Sequence, residues 1–280
     1  MIRDRARADQ VEVLHCRYGR MLALTNDKYI GAALRDYGEY SESEVMLWRQ
    51  ILKPDAIVVD AGANCGAHTV ALASLVPQGV VVAFEPLRAF YHILCGNLAL
   101  NGLTNVIAHH AALGAEPGGI NVPALDLTLD ENYGGFALPE HQGAPGNRVP
   151  LLRLDDVLPR VDMIKADVEG MEGDVLRGAE RLIRECAPVL YLEANPGPTQ
   201  QPLIDQLDGM GYMAWWHHAP HFHPANYRGL SEDHYPGIVS WNLLALPASA
   251  EHQLNGFPRA LPTRNSQVSS EEDASGPPRG

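Results

Sequence analysis

The sequence lacks the features that mark several large classes of proteins. Its four cysteines stand far apart without a C-x-x-C spacing, so neither a disulfide framework nor a zinc knuckle is indicated. It contains no run of 18 uncharged apolar residues, and no apolar segment of signal-peptide length follows its N-terminal residues. We therefore expect a cytoplasmic protein with reduced thiols, without a membrane span or an export signal.

Positive charge is also in short supply. Lysine and arginine total 21 residues against 34 aspartates and glutamates, which gives a net charge of −13 over the 280 residues. A field of this sign opposes the phosphate backbone of nucleic acids, so no nucleic-acid partner is expected. Hydrophobic residues make up 46 % of the chain, which is enough for a sizeable core in one large domain.

Short apolar runs alternate with segments of helical period from Ile57 onward. This alternation predicts an α/β fold of βαβ units, in which helices cover both faces of a parallel sheet. The predicted strands are Ile57–Asp60, Val80–Phe84, Val106–His109, Val161–Ala166, Val189–Leu192 and Val239–Leu246. The predicted helices are Ala67–Leu75, Arg88–Leu100 and Glu172–Cys186.

The remaining segments carry other patterns. Residues 1–50 alternate weakly in hydrophobicity on either side of Gly19, which predicts a hairpin laid across the edge of a larger sheet, with this N-terminal edge element over 1–36. Residues 114–150 are rich in glycine and proline and predict an insertion of loops and short strands. Because residues 258–280 have almost no large apolar side chain, we expect a disordered tail over 248–280 and one domain over 37–247.

A glycine-rich turn joins a predicted buried strand to a helix, in the sequence VVDAGANCGAHT at 58–69. Such a turn lets the backbone approach a ligand. Its G-x-x-x-G spacing differs from the dinucleotide fingerprint, and Asp60 before it would repel a pyrophosphate but suits an ammonium group. Glu85 follows the next strand, where such folds hydrogen-bond ribose hydroxyls. An amino acid joined to a ribose indicates S-adenosylmethionine.

Three alternatives remain open on these residues. Gly62 and Gly66 could merely turn the chain while Asp60 caps the helix. A nicotinamide-dependent reductase is disfavoured by the glycine spacing and by the absence of a Tyr-x-x-x-Lys pair. A non-catalytic protein that binds S-adenosylmethionine would carry the same cofactor motifs.

Several segments together resemble the FkbM family of S-adenosylmethionine-dependent methyltransferases, over about 37–247. They are YGEYSESEV at 37–45, DAGANCGAHT at 60–69, AFEP at 83–86, NLALNG at 97–102, LDD at 154–156 and IKADVEGME at 164–172. The segments YLE at 191–193, FHPANY at 222–227 and SWNLL at 240–244 are also similar. Tyr40 and His223 depart from the family pattern, in which tryptophan and asparagine are commoner, and these departures bear on the acceptor.

The resemblance implies a Rossmann-like class I methyltransferase, whose seven-stranded, mostly parallel sheet ends in a reversed hairpin. It also implies methylation, usually on oxygen, of a sugar, glycan or secondary metabolite. The cofactor-binding residues expected on this basis are Tyr37, Glu39, Ser41, Asp60, Gly62, Ala63, Asn64, Gly66, His68, Thr69, Glu85, Pro86 and Asp167. The oligomeric state is left open, a homodimer included.

Methyl transfer to an alcohol needs a group that takes the hydroxyl proton. Asp167 is the first candidate, because it ends a strand at the same sheet edge as Asp60 and Glu85. The histidine-rich segment 215–223 predicts an irregular loop that could cover the site. Its His217, His218 and His221 are the second candidates for the base, unless they are solvated surface histidines.

A divalent metal is the other means of activating a hydroxyl. Asp167, Glu169 and Glu193 offer three carboxylates at one edge of the sheet, which is a ligand set suited to Mg²⁺ or Ca²⁺. Glu169 and Glu172 could instead stabilise the N-terminus of the following helix. The sequence therefore leaves a metal site as a hypothesis beside a side-chain base.

Overall fold

A computed structural model describes residues 10–127, 129–135, 146–249, 254 and 256–263. The strands are β1 (Val11–Cys16), β2 (Gly19–Leu24), β3 (Ile57–Ala61), β4 (Val80–Phe84), β5 (Val106–His109), β6 (Ala112–Leu113), β7 (Gly118–Pro123), β8 (Gly146–Leu152), β9 (Met163–Ala166), β10 (Val189–Glu193), β11 (Tyr212–Pro220), β12 (Val239–Pro247) and β13 (Arg259–Ala260). The helices are α1 (Ile30–Asp36), α2 (Glu42–Ile51), α3 (Ala67–Leu75), α4 (Arg88–Leu100), α5 (Leu154–Val157), α6 (Glu172–Arg177), α7 (Glu180–Cys186) and α8 (Gln200–Gly209).

The central sheet has the strand order β13-β11-β12-β10-β9-β3-β4-β5. Strands β3, β4, β5, β9 and β10 run parallel, whereas β12 pairs antiparallel with both β10 and β11. The expected seven strands with a reversed last hairpin are therefore present. The short strand β13 adds an eighth at the edge of the sheet, within the part of the chain that the structure describes.

Both faces of β3, β4, β9 and β10 are buried, which explains why these strands are nearly continuous apolar runs, whereas β5 lies at the edge of the sheet with Ile107 exposed. One face packs against α2 and α3, and the other packs against α6, α7 and α8. Side chains alternate between the two faces, with Val58, Val81 and Met163 on the first and Val59, Val82 and Ile164 on the second. The prediction of helices on both faces is confirmed.

One predicted helix and one predicted strand have different bounds in the structure. The helix expected over Glu172–Cys186 is divided into α6 and α7, with Gly178 between them. A Cβ atom on Gly178 would lie 2.2 Å from the carbonyl oxygen of Gly114, so the break lets two backbone segments approach closely. The strand expected from Val161 begins at Met163.

The N-terminal hairpin forms as predicted, but its position differs from the prediction. Strands β1 and β2 make a separate two-stranded sheet instead of lying across the edge of the central one. Asn97 of α4 anchors this hairpin, because its Nδ2 donates to the carbonyl of Leu22 at 3.1 Å and its Oδ1 accepts the Leu22 N–H. Local periodicity could not predict this position of the hairpin, because Asn97 lies far along the chain from the strand whose backbone it hydrogen-bonds.

The expected disordered tail is wrong for residues 256–263. Strand β13 pairs with β11, and the backbone N–H of Trp216 donates to the carbonyl of Pro258 at 2.8 Å. Ala260 is buried. Residues 264–280 lie outside the described residues.

The region 114–150 contains short strands, as we expected of an insertion rich in glycine and proline. Its strands β7 and β8 join the preceding β6 in a three-stranded sheet. Residues 128 and 136–145 lie outside the described residues. The described helices include none long and apolar enough to cross a membrane.

Candidate active site

A cavity of about 420 Å³ opens at the carboxyl ends of β3, β4, β9 and β10. Ligands of open α/β sheets bind at this edge. The predicted site residues that line the cavity are Gly62, Ala63, Asn64, His68, Glu85, Pro86, Asp167, Glu169, Glu193 and His221. The predicted residues that are not part of this lining are Tyr37, Glu39, Ser41, Asp60, Gly66, Thr69, His217 and His218.

The glycine-rich turn is folded tightly against two neighbouring strands. The backbone N–H groups of Gly62 and Ala63 both donate to the carbonyl of Phe84 at 3.0 Å. Gly62 has a φ of +76°, and a Cβ atom there would lie 1.8 Å from the carbonyl oxygen of Asp167. Only glycine fits this position, and the turn therefore brings the end of β3 against the backbone of Asp167, the first candidate for the catalytic base.

Glu85 connects the end of β4 to the turn. Its Oε2 accepts the Asn64 N–H at 2.7 Å, and its Oε1 accepts the Leu87 N–H at 2.7 Å. Burial raises the pKa of Glu85 to about 7, although these two backbone donors act in the opposite direction. The carboxyl group is therefore held rigidly at the cavity wall, with lone pairs left for further donors.

Asp60 has partners within the protein. It is fully buried, with Thr69 Oγ1 donating to its Oδ2 at 2.6 Å and Lys165 Nζ lying 3.0 Å from its Oδ1. These contacts occupy the carboxylate, and Asp60 does not line the cavity. The structure thus gives Asp60 a structural ion pair in place of the predicted contact with a ligand ammonium group.

Lys165 lies between two carboxylates at the base of the cavity. Its Nζ also donates to the carbonyl of Gly62 at 3.2 Å and lies 3.8 Å from Asp167 Oδ2. Burial by itself would lower the pKa of Lys165, but the charges of Asp60 and Asp167 outweigh it and raise the pKa. The raised pKa favours the charged form of Lys165, which pairs with Asp60 and faces Asp167.

Three carboxylates converge as the sequence predicts. Oxygen atoms of Asp167, Glu169 and Glu193 all lie within 4.8 Å of one another. Burial raises the pKa of Glu193 well above its usual value, and the negative charges of Asp167 and Glu169 raise it further. Glu172 Oε1 accepts the N–H groups of Val168 and Gly170 at 3.0 and 3.2 Å, so this carboxylate holds the loop between β9 and α6.

Tyr37, Glu39 and Ser41 form hydrogen bonds within the protein and do not line the cavity. Glu39 Oε2 accepts Arg17 Nε at 2.7 Å and the backbone N–H of Tyr227 at 2.8 Å. The Tyr37 hydroxyl accepts the His234 N–H at 2.7 Å. These contacts anchor the segment 221–238, whose two ends line the cavity. Ser41 Oγ donates to Glu44 at 2.7 Å, also away from the lining.

The histidine-rich segment is mostly a strand, so the prediction of an irregular loop is wrong. Residues 215–220 belong to β11 and pair with β12 along their whole length. His217 Nδ1 lies 2.7 Å from the Tyr191 hydroxyl, and His218 is exposed against Trp241. Of the three histidines named as candidate bases, His221 is the one that lines the cavity.

The cavity also has walls that sequence reasoning missed. Tyr29 and Tyr133 come from segments without a motif, whereas Ser240 begins the SWNLL segment, which resembles the family pattern but contains no expected site residue. Residues 111–113 also line the cavity, and the sequence could have predicted this, because they follow β5 at the edge where the other parallel strands end. Their position is the signal that could have identified them.

The sheet order, the reversed last hairpin, the turn and the acid after β4 give the chain the Rossmann-like fold of class I methyltransferases. Within that class, the chain belongs to the Methyltransferase FkbM domain family, whose sequence model matches residues 60–214. The resemblance seen in the sequence is confirmed.

Two fungal relatives illustrate the similarity. Methyltransferase 1 of Beauveria bassiana is 33 % identical over 149 residues, and the match covers 45 % of this chain and 59 % of that protein. Methyltransferase sdnD of Sordaria araneosa is 30 % identical over 196 residues, and the match covers 56 % of this chain and 73 % of that protein. The match therefore spans less than two thirds of the Beauveria protein.

Solved structures of methyltransferases are similar at lower identity. The crystal structure of Methyltransferase FkbM from Methylobacillus flagellatus KT is 19 % identical with a TM-score of 0.46, covering 70 % of this chain and 45 % of that one. The O-methyltransferase TomG from Streptomyces achromogenes, in complex with SAM, is 16 % identical with a TM-score of 0.43, covering 74 % of this chain and 78 % of that one.

Proposed function

We propose that this chain binds S-adenosylmethionine in the cavity and transfers its methyl group to a hydroxyl of a sugar, glycan or secondary metabolite. The observation that carries the cofactor assignment is Glu85, whose buried carboxylate stands at the cavity wall and is fixed by two backbone donors. Ribose hydroxyls would donate to its remaining lone pairs. The methionine part would follow the turn at 62–64, which lines the same cavity.

The chemistry is an in-line displacement at the sulfonium methyl group. The carbon–sulfur bond breaks as the oxygen–carbon bond forms, which leaves S-adenosylhomocysteine and a methyl ether, and the hydroxyl proton passes to a base. We assign this base to Asp167, which lines the cavity beside Lys165. Lys165 Nζ lies 3.8 Å from Asp167 Oδ2 and would attract this carboxylate. An acceptor hydroxyl that donates to Asp167 would be held in line with the carbon–sulfur bond, and such orientation supplies roughly 7–11 kcal/mol.

A divalent metal is the second candidate for activating the hydroxyl. Asp167, Glu169 and Glu193 would hold Mg²⁺ through oxygen ligands, and the convergence of their oxygen atoms fits such an ion. When bound, a metal of this kind lowers the pKa of a coordinated hydroxyl. Without a metal, Asp167 by itself would take the proton of the acceptor hydroxyl.

Calorimetry and methyl transfer together test the proposal. We expect one S-adenosylhomocysteine site per chain, strongly weakened by Glu85→Ala because the ribose contacts are lost. Labelled S-adenosylmethionine should give labelled, base-stable ethers with a panel of hydroxylated acceptors. Binding of the cofactor without any transfer would favour the non-catalytic alternative, and binding of NAD in its place would favour the reductase.

The four free cysteines support a reducing location, and we propose the cytoplasm.

A further inference from the structure

Four aromatic side chains form one connected group in the lining of the cavity. They are Tyr29, Tyr40, His68 and His221. The ring centroid of Tyr40 lies 5.1 Å from that of His68 and 5.2 Å from that of His221, and Tyr29 meets His221 edge-on at 6.1 Å. We call these four residues the acceptor wall.

His68 has a buried nitrogen without a hydrogen-bond partner. The residue is 6 % exposed, and its Nε2 makes no hydrogen bond to any residue that the structure describes. Burial, together with the charge of Lys165, lowers the pKa of His68 to about 3, so the ring is neutral at physiological pH. An unpaired buried nitrogen destabilises a folded protein, which points to a ligand as its partner.

His221 repeats this arrangement on the other side of Tyr40. It is 8 % exposed, and its Nδ1 is buried without a partner among the described residues, while its Nε2 lies 3.2 Å from Ser240 Oγ. Burial lowers the pKa of His221 to about 4. The acceptor wall therefore presents two neutral imidazole rings, each with unused capacity for one hydrogen bond.

The charges of the cavity are one-sided. Among the residues that the structure describes, Lys165 is the one lysine or arginine in the lining, and its Nζ is paired with Asp60 at 3.0 Å. The lining also contains Asp167, Glu169 and Glu193. Without a metal ion on these three carboxylates, an acceptor with a carboxylate or phosphate would meet them with no free cation to balance its charge.

We propose that the acceptor wall binds an uncharged, polyhydroxylated ring and excludes anionic acceptors, with His68 Nε2 and His221 Nδ1 hydrogen-bonding to two of its hydroxyls. Tyr29 and Tyr40 pack against the C–H surface of that ring. His68, which the sequence grouped with the cofactor residues, is thereby assigned to the acceptor. This assignment rests on the proposed function, because it assumes that the cofactor occupies the other end of the cavity.

Saturation-transfer NMR on the full chain with S-adenosylhomocysteine tests the proposal. The probes are glucose and galactose, their uronic acids and their 2-amino forms. We expect the neutral hexoses to bind at least tenfold more tightly than the uronates. Uronate affinities within tenfold of the hexoses, tighter binding of the amino sugars than of the hexoses, or binding of no probe at all would overturn the proposal.

Two variants of His68 separate recognition from folding. His68→Phe should bind the hexoses at least tenfold more weakly, with an unchanged affinity for S-adenosylhomocysteine and a melting temperature no lower than that of the parent. His68→Gln restores a polar end and should recover part of the loss. His15→Phe, at an exposed position on β1, is the matched control. Hexose binding by His68→Phe at the parent's strength would overturn the assignment.

The cofactor is measured in the same samples, which keeps the two proposals apart. If the parent binds S-adenosylhomocysteine but none of the sugars, the acceptor assignment fails and the cofactor assignment stands. If S-adenosylhomocysteine does not bind, the proposed function itself fails.

Discussion

Lys165 and Asp60 are direct cross-strand neighbours on β9 and β3, and their side chains form a buried ion pair with 3.0 Å between Nζ and Oδ1. Both side chains are almost fully inaccessible. A buried pair of this kind is costly to break, because removing one partner leaves the other charge unpaired in a medium of low dielectric constant. The ion pair therefore links Lys165, which lines the cavity, to Asp60 in the buried core of the sheet.

Replacing this lysine should strongly destabilise the protein. We expect Lys165→Met to lower the free energy of unfolding by about 3–5 kcal/mol, since it leaves the Asp60 carboxylate buried without a cation. Urea denaturation measures the change. The double variant Lys165→Met/Asp60→Asn should recover most of the loss, because both charges are then absent.

Arg177→Met serves as the control for this measurement, since Arg177 pairs with Asp174 in an exposed position. Exposed pairs contribute little, so this variant should remain close to the parent. A Lys165→Met protein as stable as the Arg177→Met protein would show that the buried pair does not stabilise the fold.

Cofactor affinity should depend on pH through Glu85. The pKa of Glu85 is about 7 without ligand, and ribose hydroxyls that donate to the ionised form would lower it. Binding then releases a proton, so affinity rises with pH until Glu85 is ionised in the free protein. We expect S-adenosylhomocysteine to bind about tenfold more weakly at pH 6 than at pH 8, as measured by calorimetry.

Glu85→Gln is the control for that dependence, because the amide does not titrate. It should bind more weakly than the parent and show little change between pH 6 and pH 8. Equal affinities of the parent at the two pH values would contradict the assignment of the ribose to Glu85.

Asp167→Asn should stop turnover with little effect on cofactor affinity. The amide keeps the volume of the side chain but removes the charge that takes the proton, so the loss falls on kcat. Steady-state methyl transfer and calorimetry measure the two effects. Asp174→Asn, on the exposed surface of α6, is the matched control and should have the activity of the parent.

Chelation then decides which role Asp167 has in the parent enzyme. Activity that is lost with EDTA and restored by Mg²⁺ would support the three-carboxylate metal site. Activity that is indifferent to EDTA would support direct proton abstraction by Asp167. Turnover of Asp167→Asn at the parent rate would show that the catalytic centre lies elsewhere, with His221 as the next candidate.

Residues 258–263 should stabilise the fold through β13. The Arg259 guanidinium lies 4.7 Å from the centroid of the Trp215 ring, and Thr263 Oγ1 donates to Asp205 at 2.6 Å. A chain that ends at 257 loses these contacts and the pairing with β11. We expect it to melt roughly 4–8 °C below a chain that ends at 263, which corresponds to about 2 kcal/mol. Identical melting temperatures would show that this strand contributes nothing.

The sequence by itself determined the parallel strands, α3, α4 and the residues at their carboxyl ends. These elements depend on short-range patterns: apolar runs between turns give β3 and β4, and the helical period of α4 ends just before Asn101 and Gly102. The edge where parallel strands end is fixed by that order, so Glu85 and Asp167 could be placed together before any contact was known.

The tertiary structure alone decided which groups are free to meet a ligand. Asp60 has the same local surroundings as a ligand-binding acid, and it is the register between β3 and β9 that brings Lys165 to it. Likewise, Tyr37 and Glu39 contact residues far along the chain instead of the cavity. Periodicity reports on neighbours within a few residues, whereas ion pairing and burial depend on contacts between distant segments, which only the packed fold sets.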